Sequence, residues 1–272
     1  MSHQLFDLSG RVALVSGAAQ GVGRAMSIGF AEAGADLMLA DLNEEGARQT
    51  ARTIKSLGRR AVAVRCDVSE PNQVRAMFTR LDDELGRIDV LGNVAGGGSI
   101  ELSPPEETPV EAVANFLQAL VIGRFCCCQE AGRRMLAAGS GSIINITSIA
   151  GLTALGRNHT PYSVAMAGTA QMTRELSTEW ASRGVRVNSI VLAQVMNPSM
   201  RERIRREPRL EEQWLSGIPM GRLGEPDDVK GVAIFLASDA ARWVTGALLP
   251  LDGGNLAMNA GGSYPRGLGI IG

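Results

Sequence analysis

A glycine-rich loop near the start of the chain has the residue types that the pyrophosphate of a dinucleotide needs. The loop reads Gly17-Ala18-Ala19-Gln20-Gly21-Val22-Gly23, and it lies between the apolar run Val12–Val15 and a helix-like stretch that ends at Gly34. Glycine permits the tight turn, a close approach of backbone to phosphate and the packing of helix on strand, and the N-terminus of that helix presents N–H donors. The loop therefore predicts a dinucleotide site.

A carboxylate follows at the spacing expected for the adenosine ribose. Asp41 ends the next apolar run, and an acidic residue about 20 positions after the glycines can accept hydrogen bonds from both ribose hydroxyls. A 2′-phosphate would meet this negative charge, and Gln20 carries no positive charge that binds phosphate. We therefore predict the cofactor NAD rather than NADP, bound by Gly17, Gln20, Gly21, Val22, Gly23, Asp41 and Leu42.

Short apolar runs that alternate with helix-like stretches must position these residues. The runs are Val12–Val15, Leu37–Ala40, Ala61–Val64, Ile88–Leu91, Ile143–Ile146, Val185–Val191 and Leu248–Leu251. Continuous apolar strands separated by helices indicate a parallel sheet that is buried on both faces. We predict an α/β fold with a single doubly wound Rossmann-type domain over residues 1–255. A Gly-rich tail at residues 256–272 is expected to be either disordered or laid over a neighbouring subunit.

The composition excludes several classes of partner. The chain has 27 Lys and Arg against 28 Asp and Glu, a net charge of −1, so it lacks the basic surface that nucleic acid or anionic lipid requires. No uninterrupted apolar stretch approaches the roughly 20 residues that span a bilayer, and we expect a cytoplasmic protein. Cys66 and the run Cys126–Cys128 lack the spacing of metal ligands, so we expect packed thiols and no metal.

Further motifs make the chain resemble the short-chain dehydrogenase/reductase family. Besides the glycine loop, they are Cys66-Asp67-Val68, Asn93-Val94-Ala95-Gly96, Ile144–Ser148 with Tyr162 after it, Arg186–Ile190, Leu236–Asp239, Thr245-Gly246 and Asp252-Gly253-Gly254. The resemblance implies a seven-stranded parallel sheet flanked by helices and, commonly, a tetramer. It also implies an adenine contact by Asp67 and Val68 and a wall behind the cofactor formed by Asn93, Ala95 and Gly96. Ser148 and Tyr162 are expected to be catalytic, and Tyr162 is also expected to contact the cofactor.

The chain departs from the family's catalytic pattern of Asn, Ser, Tyr and Lys at two positions. Met166 stands where the family has lysine, four residues after Tyr162, and Leu120 stands where it has asparagine. Without an ammonium beside it, a phenol with an ordinary pKa of about 10 stays neutral near pH 7. We therefore expect Tyr162 to be a hydrogen-bond donor, which suits the polarisation of a carbonyl and not the abstraction of a proton from an alcohol.

Two more residues are candidates for the site. His159 lies three positions before Tyr162, and it is a candidate replacement for the missing base because imidazole titrates near neutral pH; the alternative is a solvated loop histidine. Asn197 follows the sixth apolar run, where the family often has a threonine that bonds the nicotinamide amide. We predict that Asn197 binds the cofactor.

Three functions remain open from the sequence. The first is an NAD(H)-dependent oxidoreductase that acts on a carbonyl or alcohol small molecule through a rewired or weakened proton path, as a homotetramer. The second is a non-catalytic nucleotide-binding subunit that assembles with an active homologue, and the third is a non-redox lyase or isomerase on the same fold. The segments that would shape the substrate pocket, residues 97–108, 150–159 and 194–218, show no pattern typical of one ligand class.

Overall fold

The centre of the molecule is a parallel β-sheet of seven strands. The computed structural model describes residues 4–96 and 103–258. Its strands are β1 Val12–Ser16, β2 Asp36–Asp41, β3 Ala61–Arg65, β4 Val90–Asn93, β5 Gly141–Ser148, β6 Val185–Leu192 and β7 Leu248–Leu251. They lie in the order β3-β2-β1-β4-β5-β6-β7 with every pairing parallel. The predicted doubly wound sheet is confirmed.

Helices cover both faces of this sheet. They are α1 Gly21–Glu32, α2 Glu44–Ser56, α3 Pro71–Leu85, α4 Val110–Leu117, α5 Arg124–Ala138, α6 Thr160–Trp180, α7 Pro198–Arg206, α8 Arg209–Leu215 and α9 Val229–Ala237. Helices α1, α2 and α9 pack in one apolar cluster, and α3, α5 and α6 contribute to the cluster on the opposite face.

Strand β1 shows why the apolar runs are continuous. Ala13 and Val15 belong to the core on one face, whereas Val12 and Leu14 belong to the core on the other face. Successive side chains of a strand point to opposite faces, so a strand covered on both sides needs an apolar residue at every position. Strand β3 lies at the edge of the sheet, and its Val62 is therefore only half-buried.

The direction of the strand order reverses between β1 and β4, which places a crevice at the carboxyl ends of these two strands. A buried hydroxyl ties the two strand ends together, because Ser16 Oγ accepts hydrogen bonds from the N–H groups of Val94 and Ala95, both at 3.1 Å. The glycine loop that follows β1 and the Asn93–Gly96 motif that follows β4 are thereby fixed against one another.

Among the residues that the structure describes, one helical segment, Val110–Ala138, is apolar enough by length and composition alone to cross a membrane, and it contains an 18-residue stretch of mean hydropathy 1.4. It consists of α4, a π-helical stretch at Gln118–Gly123, and α5. Charged residues interrupt it at Arg124 and Glu130, so it contains no uninterrupted apolar run of roughly 20 residues. The inner face of α5 supplies Cys127, Cys128 and Met135 to the core of this domain, whereas α4 buries no residue.

The described chain closes on a turn after β7. The Asp252 carboxylate accepts hydrogen bonds from the N–H groups of Gly254 at 2.9 Å and Leu256 at 2.8 Å. The part of the predicted tail from residue 259 onward lies outside the described residues, as do residues 97–102 of a predicted substrate segment.

Candidate active site and dinucleotide crevice

Helix α1 begins directly in the glycine loop with its first donors unused by the helix. The first intrahelical bond runs from the Arg24 N–H to the Gln20 carbonyl at 3.2 Å, so the N–H groups of Gly21, Val22 and Gly23 precede the helical ladder. The Gln20 side chain makes no capping bond. Gly21 has a φ of 54°, and a Cβ there would meet nothing within 4 Å, so this end of α1 is open to an anion.

The other glycines of the loop are required by close packing. A Cβ on Gly23 would lie 2.0 Å from the Gly17 carbonyl oxygen, and a Cβ on Gly17 would lie 3.0 Å from the Ala95 backbone nitrogen. Gly17 also has a φ of 74°, a conformation that glycine adopts without strain. The loop is thus pressed between α1 and the end of β4, the arrangement that brings backbone close to a bound phosphate.

The Asp41 carboxylate lies at the mouth of this loop. One of its oxygens accepts the Ala19 N–H at 2.9 Å and the other accepts the Asn43 N–H at 2.9 Å, which fixes the side chain and leaves acceptor capacity on both oxygens. Leu42 beside it is 56% exposed. N–H donors for a pyrophosphate and a carboxylate for ribose hydroxyls therefore fit the pyrophosphate and the adenosine ribose of an adenine dinucleotide.

The residues predicted at the adenine follow β3. Asp67 Oδ1 accepts hydrogen bonds from the Ser69 N–H at 2.9 Å and from the Ser69 hydroxyl at 2.6 Å, and Val68 is 5% exposed. A Cβ on Gly123 would lie 2.2 Å from the Val68 carbonyl oxygen. The loop after β3 is therefore held tightly against the start of α5.

The Asn93 side chain braces the strands behind the crevice. It is fully buried, and its Nδ2 donates to the Arg124 carbonyl and to Asn145 Oδ1, both at 3.1 Å. Gly96, at the end of the same motif, has a φ of 108°, and a Cβ there would lie 2.8 Å from a methyl group of Leu120. The loop after β4 thus packs on Leu120.

Ser148 and Tyr162 come together at the end of β5. The Ser148 hydroxyl accepts the Ala150 N–H at 3.2 Å, and Ser148 is close enough to Tyr162, in the first turn of α6, to influence the pKa of its phenol. Burial raises the pKa of Tyr162 above its ordinary value, and the Ser148 side chain and the Arg124 charge act in the opposite direction. The phenol is therefore a neutral O–H donor at pH 7.

Met166 and Leu120 share one apolar cluster below this phenol. They are 2% and 1% exposed and pack with Ala165, and Tyr162 packs against the same group. The Leu120 carbonyl accepts the Thr169 hydroxyl at 2.8 Å. The two positions at which the family resemblance implies polar side chains thus form one buried apolar contact between α6 and the π-helical stretch.

His159 lies beside Tyr162, and Asn197 lies at the start of α7. His159 Nδ1 is 3.0 Å from the Ser163 hydroxyl, and the imidazole meets the Tyr162 ring edge to face at 5.9 Å between centroids. Burial, reinforced by the charges of arginines 157 and 203, lowers the pKa of His159. Asn197 caps α7 by accepting the Met200 N–H at 2.9 Å.

Gln194, two residues after β6, lines a cavity of about 230 Å³ together with Val195 and Ile218. Its Oε1 is the buried side-chain oxygen that has no hydrogen-bond partner within the described ranges. A free amide oxygen at this point is an acceptor suited to an amide N–H₂ group.

Sequence reasoning missed one residue of the site, Arg124. Its side chain is 3% exposed, and it donates to the carbonyls of Val94 and Ala95 at 3.0 Å each and to the carbonyl of Ile146. The signal in the sequence is a single charge between Phe116 and Cys128, a run otherwise free of Lys, Arg, Asp and Glu.

Comparison with known proteins gives matches over nearly the whole chain. The family model described as enoyl-(acyl carrier protein) reductase matches residues 17–255. D-threitol dehydrogenase of Mycolicibacterium smegmatis is 38% identical over 249 residues, which cover 92% of this chain and 94% of that protein.

Solved structures give the same result. A short-chain type dehydrogenase/reductase from Mycobacterium marinum has a TM-score of 0.83 at 31% identity, covering 92% of this chain and 97% of that one. A gluconate 5-dehydrogenase from Burkholderia cenocepacia J2315, solved with NADP and tartrate, has a TM-score of 0.86 at 31% identity, covering 94% and 98% of the two chains.

Proposed function

The chain belongs to the short-chain dehydrogenase/reductase family, and on that premise we propose that it is an NAD(H)-dependent oxidoreductase for a small carbonyl compound and its alcohol. The observation that carries the proposal is the hydroxyl pair of Ser148 and Tyr162. A continuous set of contacts joins this pair to the dinucleotide crevice, because Tyr162 packs with Leu120, and Leu120 lies against Gly96 at the end of β4.

The chain's own residues handle the proton in this reaction. The nicotinamide, when bound, supplies or accepts the hydride. Tyr162 donates its O–H to the substrate oxygen, because burial keeps the phenol protonated at neutral pH, and Ser148 orients it. The reverse reaction needs the phenolate, so alcohol oxidation rises with pH towards and beyond the ordinary phenol pKa of about 10.

The choice of NAD rests on Asp41. Its carboxylate is held in one orientation by two backbone N–H groups. A 2′-phosphate would therefore lie against its negative charge and be repelled. Leu42 and Gln20 beside it carry no charge. The relative solved with NADP makes this choice a property of individual residues and not of the fold.

Assembly as a homotetramer in the cytoplasm remains part of the proposal. The support is a set of exposed apolar side chains on the helical segment 110–138 and on α6, namely Val110 at 76%, Ile122 at 48%, Phe125 at 44% and Val164 at 47% exposure. Apolar surface of this kind is typical of a contact between subunits.

The test is hydride transfer by wild type and Tyr162→Phe, followed as the loss of NADH with a panel of ketones that includes keto sugars and cyclic ketones. The variant should lose about 10²- to 10⁴-fold in turnover, the usual contribution of a general acid. Calorimetric NADH binding should still be present in the variant, which controls for folding. Equal turnover by both proteins contradicts the assignment.

Leu120 and Met166 form a buried apolar contact where the family has catalytic Asn and Lys. This contact favours a second candidate function, a non-catalytic nucleotide-binding subunit for an active homologue. This candidate predicts tight NADH binding, no turnover with any carbonyl, and copurification with a second member of the family from cells that express both.

A further inference from the structure

Arg124 is a buried cation without a carboxylate partner among the described residues. Its guanidinium donates to three backbone carbonyls and to no Asp or Glu side chain within the described ranges. Carbonyl dipoles satisfy N–H groups but do not cancel a full positive charge. Burial lowers the pKa of Arg124, but a guanidinium stays protonated in proteins, so the group remains charged at pH 7 and at the pH where the phenol ionises. A charge held in this way favours an anion nearby.

The three carbonyls define where that charge lies. Val94 and Ala95 follow β4 directly, and Ile146 precedes Ser148 by two residues on β5. The guanidinium therefore lies between the carboxyl ends of these adjacent strands, next to Gly96, which packs on Leu120, and Leu120 in turn packs with Tyr162. The Arg124 charge acts to lower the pKa of Tyr162, against the larger effect of burial, which raises it.

We infer that Arg124 is a positioning residue for proton transfer. Its guanidinium, which reaches from α5 to the ends of β4 and β5, supplies the positive charge that Met166 of α6 does not. Its charge stabilises the phenolate of Tyr162 and the negative charge that develops on the substrate oxygen. The inference rests on the proposed function for its catalytic meaning. The competing explanation is that Arg124 only ties the loop after β4 to β5.

A titration without any substrate separates these explanations. The chain has two tyrosines, Tyr162 and Tyr264, so a Tyr264→Phe background leaves Tyr162 as the single source of tyrosinate absorbance. In that background Arg124→Gln keeps amide donors for the carbonyls and removes the charge, and Arg124→Lys keeps the charge. We expect the Tyr162 midpoint to move to higher pH in Arg124→Gln and to stay near the wild-type position in Arg124→Lys.

Arg186 offers a matched control. It is also partly buried, its pKa is lowered to about 10 by burial, and it donates to the carbonyls of Leu236, Ser238 and Val244. Arg186→Gln should therefore cost stability in the same manner and leave the Tyr162 midpoint in place. A shift of equal size in both variants contradicts a specific role for Arg124.

Activity gives a second measurement. Alcohol oxidation at pH 7 should fall by about tenfold or more in Arg124→Gln, since an opposite charge at close range shifts a pKa by at least about one unit, and the rate should recover at high pH and in Arg124→Lys. A folded Arg124→Gln with an unchanged Tyr162 titration overturns the inference and leaves the proposed function standing. A shifted Tyr162 titration in a protein without turnover supports the inference and overturns the proposed function.

If Arg124→Gln does not fold, the effect of Tyr162 on Arg124 can be measured in a protein that keeps the arginine. The Arg124 Nε resonance in a ¹⁵N spectrum should follow the ionisation of Tyr162 and lose that response in Tyr162→Phe. An Nε resonance that is the same with and without the phenol overturns the inference.

Discussion

Replacing Met166 by lysine tests whether the space below Tyr162 is as apolar as the structure indicates. Met166 is 2% exposed and packs on Leu120 and Ala165. A Cβ on Gly151 would lie 2.9 Å from the Met166 Cβ, so the backbone on that side is close as well. A lysine in this place has a stem of similar length, and its ammonium ends among apolar groups.

The expected cost follows from the pKa of the new group. Burial of this kind lowers a lysine pKa of about 10.4 by roughly 3 units, which corresponds to about 4 kcal/mol at pH 7. The like charge of Arg124 on the neighbouring helix adds to the penalty. Natural domains unfold with about 5–15 kcal/mol, so Met166→Lys should remove a large part of the stability.

Urea unfolding at pH 7 and near pH 10.5 measures this. A lysine whose folded pKa lies below its unfolded pKa destabilises the protein fully below the folded pKa. The loss shrinks as the pH rises above the folded pKa and is gone above the unfolded pKa, where the unfolded chain has released the same proton. The gap between wild type and Met166→Lys should therefore close with rising pH. Met166→Leu, which adds no charge, should show a small gap that does not change with pH.

The double variant Met166→Lys with Leu120→Asn gives the ammonium a polar neighbour, and it should regain part of the stability and oxidise alcohols faster at pH 7 than the single variant. A Met166→Lys protein as stable as wild type at pH 7 would refute the reasoning, because it would mean that water reaches the cluster.

Two further outcomes are expected. Asp41→Ala should weaken NADH binding in calorimetry by about tenfold, the effect of losing one to two charge-assisted hydrogen bonds, and it should narrow the preference over NADPH. The control is Arg65→Ala, at the position paired with Asp41 in β3, which should leave NADH binding unchanged. A wild-type protein that binds NADPH as tightly as NADH, or more tightly, would contradict the choice of NAD. His159→Gln should slow alcohol oxidation at neutral pH by about tenfold or more if the imidazole is the base, with carbonyl reduction retained; oxidation at the wild-type rate would leave His159 as a packing residue.

The sequence alone predicts the sheet and the dinucleotide crevice because both depend on local patterns. Continuous apolar runs such as Val12–Val15 occur where a strand is covered on both faces, and the glycine loop carries its own turn and helix start. These features involve neighbours in the chain, so spacing and residue type are sufficient to find them.

The chemistry below Tyr162 depends on contacts between distant residues, and the sequence does not show them. Leu120 and Met166 meet across two helices, and the π-helical stretch that carries Leu120 has no signature in the residue pattern. Arg124 looks like an isolated charge on an apolar helix until the carbonyls of Val94, Ala95 and Ile146 are seen around it.

The apolar pair and the buried arginine have one explanation together. A lysine at position 166 beside Arg124 would place two cations against one phenol, and an asparagine at position 120 without that lysine would leave a buried amide without its partner, so each polar group is costly without the other. With Met166 and Leu120 the contact is satisfied by packing alone, and Arg124 leaves one positive charge at the strand ends. The phenol then keeps a cation that favours its anion but has no polar path below it. Protons must therefore enter and leave Tyr162 from the substrate side, past Ser148 and His159.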